Sequence, residues 1–288
     1  MIKLPWTTYN NPCGWIEPTT YCQLKCEGCY RGEDKGIPQR HKNDYTVLNE
    51  IDKQIELRGI KLLTISGGEP LLYPKLGQVI DYAKSKNLQV RLLTNGVLLT
   101  PKLIDKLNVD EILIHIFSPS QVKTYAEMFN GKTLFGFNIT VSKDNILELP
   151  YFLEKIKKTN ASRVLLTIKT DFENNTDKMF KQVQEIVELK YGKPMYYLGR
   201  TLTNKKSWLI YNHKPLSIKR IPTYLKELKV RAFPNLVNPI GQVLVILNLP
   251  EKTSKGWDLC EGCPDAMFYK GKLVPSCLLE RIKKGEEI

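Results

Sequence analysis

Two hydrophobic rhythms alternate along the first two-thirds of the chain. Short apolar runs read as strands, and stretches with apolar residues every three or four positions read as helices. The predicted strands are Trp15–Pro18, Lys61–Ser66, Gln89–Thr94, Glu111–Phe117, Gly136–Val141 and Arg163–Lys169. The helices predicted between and after them are Tyr45–Leu57, Lys75–Ser85, Pro101–Leu107, Gln121–Met128, Asn145–Lys158 and Lys178–Leu189. Leu48, Ile51, Ile55 and Leu57 fall roughly on one face of the first helix, and Asn43-Asp44 offers its cap. Regular βα alternation predicts a parallel sheet with right-handed crossovers. The fold class expected is α/β, a partial (β/α)6 barrel whose chemistry gathers at the carboxyl ends of its strands.

After Tyr191 the helical period weakens and proline becomes more frequent. Short β-like runs follow at Ser207–Tyr211, Lys229–Phe233 and Gln242–Leu247. A boundary near residue 190 is expected, dividing a barrel domain, 1–190, from a small β-rich extension, 191–288.

The 42% hydrophobic content is ample for a buried core. The segment Met1–Pro12 is too polar for a signal peptide, and no apolar run approaches membrane-spanning length. A soluble cytoplasmic protein is expected. Six of the seven cysteines form two tight triplets, Cys22, Cys26, Cys29 and Cys260, Cys263, Cys277; Cys13 stands apart. Clustering and an odd total point to metal ligation in a reducing compartment rather than to disulfides.

In the first triplet three residues separate Cys22 from Cys26, and two separate Cys26 from Cys29. Three thiolates so spaced can hold three corners of a [4Fe–4S] cube and leave the fourth iron open. The alternative is zinc completed by a distant residue. No fourth cysteine or histidine lies close by in sequence, and His41, His115 and His213 are not at zinc-ligand spacing. His115, inside an apolar strand, reads as a packed, hydrogen-bonded residue.

This spacing after the first strand, Gly67-Gly68-Glu69-Pro70 after the second and Thr94-Asn95-Gly96 after the third resemble the radical S-adenosylmethionine (radical SAM) superfamily. The resemblance implies an oxygen-sensitive [4Fe–4S] cluster whose open iron binds the amino and carboxylate groups of S-adenosylmethionine. It implies that Gly67 and Gly68 let backbone approach the methionine amino group, that Glu69 pairs with it and that Pro70 stiffens the turn. Asn95 and Ser118 fit the family's ribose and carboxylate positions, with Asn138 and Thr140 as further candidates. Where relatives often carry an aromatic before the third cysteine Gly28 stands here, and Tyr30 follows that cysteine as the candidate for the adenine. The implied chemistry is reductive cleavage to a 5′-deoxyadenosyl radical, fed by a low-potential donor such as ferredoxin or flavodoxin.

In the second triplet thirteen residues separate Cys263 from Cys277, and they read as a hairpin turning at Lys270-Gly271-Lys272. The arrangement resembles the Twitch extension of radical SAM proteins, which implies a second, auxiliary [4Fe–4S] cluster. Its spacing matches the GTP-cyclising molybdenum-cofactor enzymes, but Pro264-Asp265-Ala266 replaces their arginine-rich run, so GTP is not assigned. Zinc is the alternative here too. Cys13 reads either as a fourth ligand or as a small buried hydrophobe.

Net charge is +13, and Lys193–Arg231 holds ten basic residues against one acid. That segment reads as a solvated lysine-rich surface or as a docking face for an anion. Three functions remain open. The first is a radical SAM enzyme acting on a phosphate-bearing small molecule, nucleotide or lipid, which the second cluster orients. Another is a maturase of a ribosomally made peptide, although no separate recognition module is evident at the N-terminus. The third is a zinc-stabilised α/β binding protein.

Overall fold

The computed structural model describes residues 1–26, 29, 39–169, 176–215 and 241–288. The predicted run Lys229–Phe233 and the candidate Tyr30 lie outside the described residues. In chain order the strands are β1 (Ile2–Lys3), β2 (Cys13–Thr19), β3 (Leu62–Gly67), β4 (Gln89–Thr94), β5 (Glu111–His115), β6 (Leu134–Val141) and β7 (Arg163–Ile168). They continue as β8 (Tyr196–Gly199), β9 (Lys206–Pro215), β10 (Gly241–Asn248), β11 (Glu251–Thr253), β12 (Gly256–Asp258), β13 (Ala266–Tyr269) and β14 (Lys272–Pro275). The helices are α1 (Asp44–Arg58), α2 (Leu76–Ser85), α3 (Pro101–Lys106), α4 (Gln121–Ala126), α5 (Leu149–Lys157), α6 (Thr176–Tyr191) and α7 (Leu279–Lys283). Each of the six predicted βα units is present, with ends shifted by a few residues. The expected helix Asn145–Lys158 begins instead with a short 3-10 turn, Ile146–Glu148, and Pro150 sits in the first turn of α5, where its missing N–H costs nothing.

The chain divides into two compact units, and the division falls within β5. The first comprises Trp6–Ile112 and Gly262–Ile288. In it β2, β3 and β4 are parallel, in register Cys13↔Leu62 and Leu62↔Gln89. Every residue of β2 and β3 is buried, the signature of parallel strands covered on both faces. Val47, Ile51, Leu62, Leu63, Ile65, Ile80 and Leu92 are excluded from solvent in its core.

Helix α1 departs from its predicted face. Asn43 accepts the Tyr45 N–H at its start and Gly59, at φ 58°, closes its end. The buried face, however, is Val47, Glu50, Ile51, Gln54 and Arg58, while Leu57 is exposed. The polar members have work there. Gln54 donates to the carbonyls of Trp15 (3.2 Å) and Ala266 (2.9 Å), and Arg58 to those of Ala266 (3.2 Å) and Cys263 (2.8 Å). Buried carbonyls need donors, so this stripe ties the C-terminal segment to β2 and α1. There β13 and β14 form the expected hairpin, pairing Ala266 with Pro275.

The second unit comprises Met1–Pro5 and Leu113–Glu261. Strands β6, β7 and β10 are parallel, while β9 is antiparallel to both β10 and β8. Strand β1 adds in parallel beside β8. Phe137, Phe152, Val164 and Leu244 are fully buried in this unit.

Replacing Gln54 with alanine leaves the Trp15 carbonyl without this donor and takes one of two side-chain donors from that of Ala266. A stability loss of about 2 kcal/mol is expected in anaerobic denaturant unfolding; a loss below about 0.5 kcal/mol contradicts the tie.

Candidate functional site

The first cysteine triplet leaves the end of β2. Its loop is closed at the base by the returning chain: Thr20 N donates to Arg40 O (3.0 Å), Lys42 N to Pro18 O (2.8 Å), and His41 bridges to Thr19. The His41 ring lies 4.5 Å from that of Tyr21 and 5.7 Å from that of Tyr73, with Nδ1 2.9 Å from the Thr19 hydroxyl. No motif pointed to this aromatic prop.

The end of β3 holds the same segment from the other side. Gly68 N donates to Thr19 O (2.9 Å) and Glu69 N to Tyr21 O (2.6 Å). A side chain at Gly68 would collide with the Tyr21 carbonyl oxygen and fall 2.7 Å from Thr20; one at Gly67, where φ is 120°, would strike the Thr19 carbonyl oxygen. The glycine pair therefore lets two backbones meet, a role beyond the approach to a ligand that the resemblance implies.

Glu69 is wholly buried. Its carboxylate accepts from the Thr94 hydroxyl (2.8 Å), Asn95 N (2.8 Å) and Leu71 N (3.0 Å), joining the ends of β3 and β4. Burial raises its pKa, and these donors pull the other way. Pro70 starts the short turn that follows. Beyond Thr94, the Asn95 Oδ1 accepts from Val97 N (3.0 Å) and Gln23 Nε2 (3.2 Å), which leaves Nδ2 aimed at Cys22 Sγ, 3.7 Å away. This contact with sulfur was not legible in the motif.

Cys29 N donates to Cys26 O (3.3 Å), so the loop turns tightly between them. Burial first, and then the neighbouring Cys29 and Cys22 thiols, push the Cys26 thiol up to about 11. Soft sulfur donors that repel one another as thiolates suit a cationic iron–sulfur core, which relieves that repulsion. Among the described residues no three His, Cys, Asp or Glu side chains are placed to hold a single metal ion; a cube takes each thiolate on a different iron.

Ser118 and Asn138 belong to the second unit. The Ser118 hydroxyl is 2.6 Å from that of Ser120, and its N–H donates to Gln121. Asn138, within β6, has Nδ2 3.4 Å from His115 Nδ1 and a buried Oδ1 without a partner among the described residues. Thr140 stands opposite Thr167 in the same register. Burial pushes His115 down to about 4.

The second triplet falls on both sides of the division. In the second unit Cys260 is buried and pairs across an antiparallel bridge with Arg200, itself fully buried. In the first unit the Cys263 carbonyl accepts from Arg58, and Cys277 follows β14, where Ser276 N donates to Asp265 O (3.1 Å). None of the seven cysteines is joined in a disulfide.

Residues 16–136 match the Radical SAM superfamily model. An AdoMet-dependent heme synthase of Methanosarcina barkeri is 30% identical over 166 residues, covering 50% of this chain and 47% of the relative. A tungsten-containing aldehyde ferredoxin oxidoreductase cofactor-modifying protein of Pyrococcus furiosus is 24% identical, covering 91% and 69%. The crystal structure of Streptococcus suis SuiB bound to precursor peptide SuiA superposes with a TM-score of 0.51 at 14% identity, covering 63% of this chain and 46% of that one. That likeness establishes the fold, the partial-barrel α/β architecture expected from the six βα units. The matched segment is thus similar to the radical SAM superfamily, a family that implies a [4Fe–4S] cluster and S-adenosylmethionine. The chain spans about half the length of the heme synthase and of SuiB. Among the described residues no helix is long and apolar enough to cross a membrane.

Two predictions follow from this geometry. Gly68→Ala is expected to lose iron from the first triplet while far-UV circular dichroism stays unchanged, whereas Gly77→Ala, with nothing within 4 Å, keeps full iron content. Equal iron in both variants contradicts the backbone contact. The second concerns His115, whose folded pKa of about 4 lies below its ordinary 6.5. Folding therefore excludes a proton, and stability present above pH 6.5 falls as the pH drops towards 4, by roughly 3 kcal/mol. His115→Gln should flatten that part of the stability curve; an unchanged curve contradicts the assignment.

Proposed function

We propose that Cys22, Cys26 and Cys29 hold the cluster of a radical SAM enzyme whose substrate is an anionic small molecule. The observation that carries the site is the joining of the cysteine loop, Gly67–Pro70 and Asn95 within one compact unit. When bound, the cluster supplies the electron that cleaves S-adenosylmethionine, and the 5′-deoxyadenosyl radical takes a hydrogen atom from substrate. The chain's own residues set the conditions. Glu69 fixes the ends of β3 and β4, a positioning role beside the pairing with the methionine ammonium that the resemblance implies. Asn95 points a donor at Cys22 sulfur, which tunes the potential of a cluster held there. Ser118 and Asn138 stand as ligand-holding candidates; the buried, partnerless Oδ1 favours Asn138.

Cys260, Cys263 and Cys277 hold a second cluster in this reading, making 191–288 a Twitch-like extension of a barrel domain, 1–190. The anionic class rests on the basic segment. Of its described members, Arg200 is buried and donates to the Leu249 carbonyl at 2.6 Å, and Lys205 pairs with Asp177 and, at 3.9 Å, with Glu251. Lys193 and Lys206 are exposed, and they carry what the described residues contribute to anion docking. A peptide substrate is the second reading, favoured by the likeness to SuiB bound to its precursor peptide. A low-potential donor of the ferredoxin or flavodoxin kind supplies the electron.

Cys26→Ala is expected to abolish S-adenosylmethionine cleavage by dithionite-reduced protein, read as 5′-deoxyadenosine; cleavage above about 1% of the unmodified rate overturns the ligand assignment. Binding to nucleotides and to candidate peptides across a salt series separates the substrate classes. The anionic reading predicts nucleotide affinity falling at least tenfold from low to physiological salt. Salt-insensitive, tight peptide binding rejects it, and zinc without iron in anaerobically purified protein rejects the enzyme altogether.

A further inference from the structure

Within the second unit, α4, α5 and the amino end of β6 line a cavity of about 700 Å³. Small-molecule sites span roughly 300–1,000 Å³, so the size is that of a ligand site. Val122 and Ala126 of α4, Phe129 just beyond it, and Leu134 and Phe135 at the start of β6 make its apolar wall. Phe129 and Phe135 stack with ring centroids 4.6 Å apart, and Phe135 meets Phe137 edge-on at 5.7 Å. Phe137 is fully buried, so the wall is braced from the core, while Phe129 and Leu134 stay half-buried.

Two polar groups on the lining stand without partners among the described residues. Thr133 is only 9% exposed, yet its hydroxyl makes no hydrogen bond there. Buried hydroxyls are nearly always bonded, so one left open on a cavity wall points to a ligand. Lys155, exposed on α5, pairs with no carboxylate. Its neighbours on the rim differ: Lys158 pairs with Glu154 at 3.1 Å and Lys123 with Glu127 at 3.7 Å. The acid of the lining, Glu127, is thus offset by Lys123, and Lys155 is left as the cation to be met.

Apolar surface and free charge therefore come from different elements, the first from α4 and β6 and the second from α5. A molecule with an apolar body and one anionic end matches that division. A nucleotide, with several charges and little apolar surface, does not. We propose that this cavity binds an amphipathic carboxylate, an unbranched acyl chain ending in a carboxylate. The chain lies on the Phe129–Phe135 wall, and the carboxylate takes Lys155 as counter-ion and the Thr133 hydroxyl as donor. Strands β6 and β7 are parallel, and the cavity is lined at their amino ends by Thr133–Phe135 and Lys158–Asn160. Chemistry in such sheets gathers at the carboxyl ends. The occupant is bound rather than transformed.

The test titrates the anaerobically reconstituted full chain with decanoate by isothermal calorimetry. Acetate lacks the chain, and decyltrimethylammonium keeps it with the charge reversed. Saturable binding of one decanoate per chain is expected, with neither control bound. Lys155→Gln should weaken it about threefold, and Thr133→Val by a similar factor of about three. Lys102→Gln, an equal loss of charge from an exposed position on α3, should leave it unmoved. Ala126→Trp should fill the cavity and abolish binding with far-UV circular dichroism unchanged. Equal affinities in Lys155→Gln and Lys102→Gln overturn Lys155 as counter-ion, and an unmoved affinity in Thr133→Val takes that hydroxyl out of the site. Binding that survives Ala126→Trp, or decyltrimethylammonium bound as tightly as decanoate, overturns the proposed site. No saturable binding of decanoate to the unmodified chain overturns the proposal outright.

Discussion

The structure around the first cysteine triplet depends on one close contact between backbones. The end of β3 meets the segment Thr19–Tyr21 through two hydrogen bonds, and only glycine at 67 and 68 leaves room for them. Everything that makes the loop a site follows from that approach. It sets the departure of the chain from β2, and it places Glu69 where its carboxylate reaches the end of β4. A buried carboxylate is costly unless several donors meet it; here three do. Asn95, held by the same carboxylate, then turns its amide towards Cys22.

The C-terminal segment relies on a comparable economy of donors. Helix α1 gives up part of its apolar face so that Gln54 and Arg58 can serve carbonyls of β2 and of residues 263–266. A short loop-rich segment carrying two cysteines cannot build a large core of its own. It is anchored instead by polar contacts and by a small apolar cluster of Trp15, Met267 and Leu279.

Much of this was legible in the chain. Hydrophobic rhythm located all six βα units, because parallel strands covered on both faces read as apolar runs. The three motifs follow successive strands, and the structure brings their residues together in one unit. The failures have physical causes. Glu50, Gln54 and Arg58 were not among the residues of the predicted apolar face, since periodicity counts apolar residues and cannot see a carbonyl waiting for a donor. Gly67, Gly68 and Glu69 were read for a ligand alone, and their second duty, bracing one strand end against another, needed coordinates. Strands β1, β8, β11 and β12 were too short to show a period. Of the basic segment's described members, Arg200 is buried and Lys205 pairs with acids.

The central claim is a cube held at three corners, with the fourth iron open to S-adenosylmethionine. Electron paramagnetic resonance of the reduced, anaerobically reconstituted protein, recorded before and after adding S-adenosylmethionine, tests it most directly. The account predicts a [4Fe–4S] signal whose shape changes on addition. A signal indifferent to the sulfonium would contradict it.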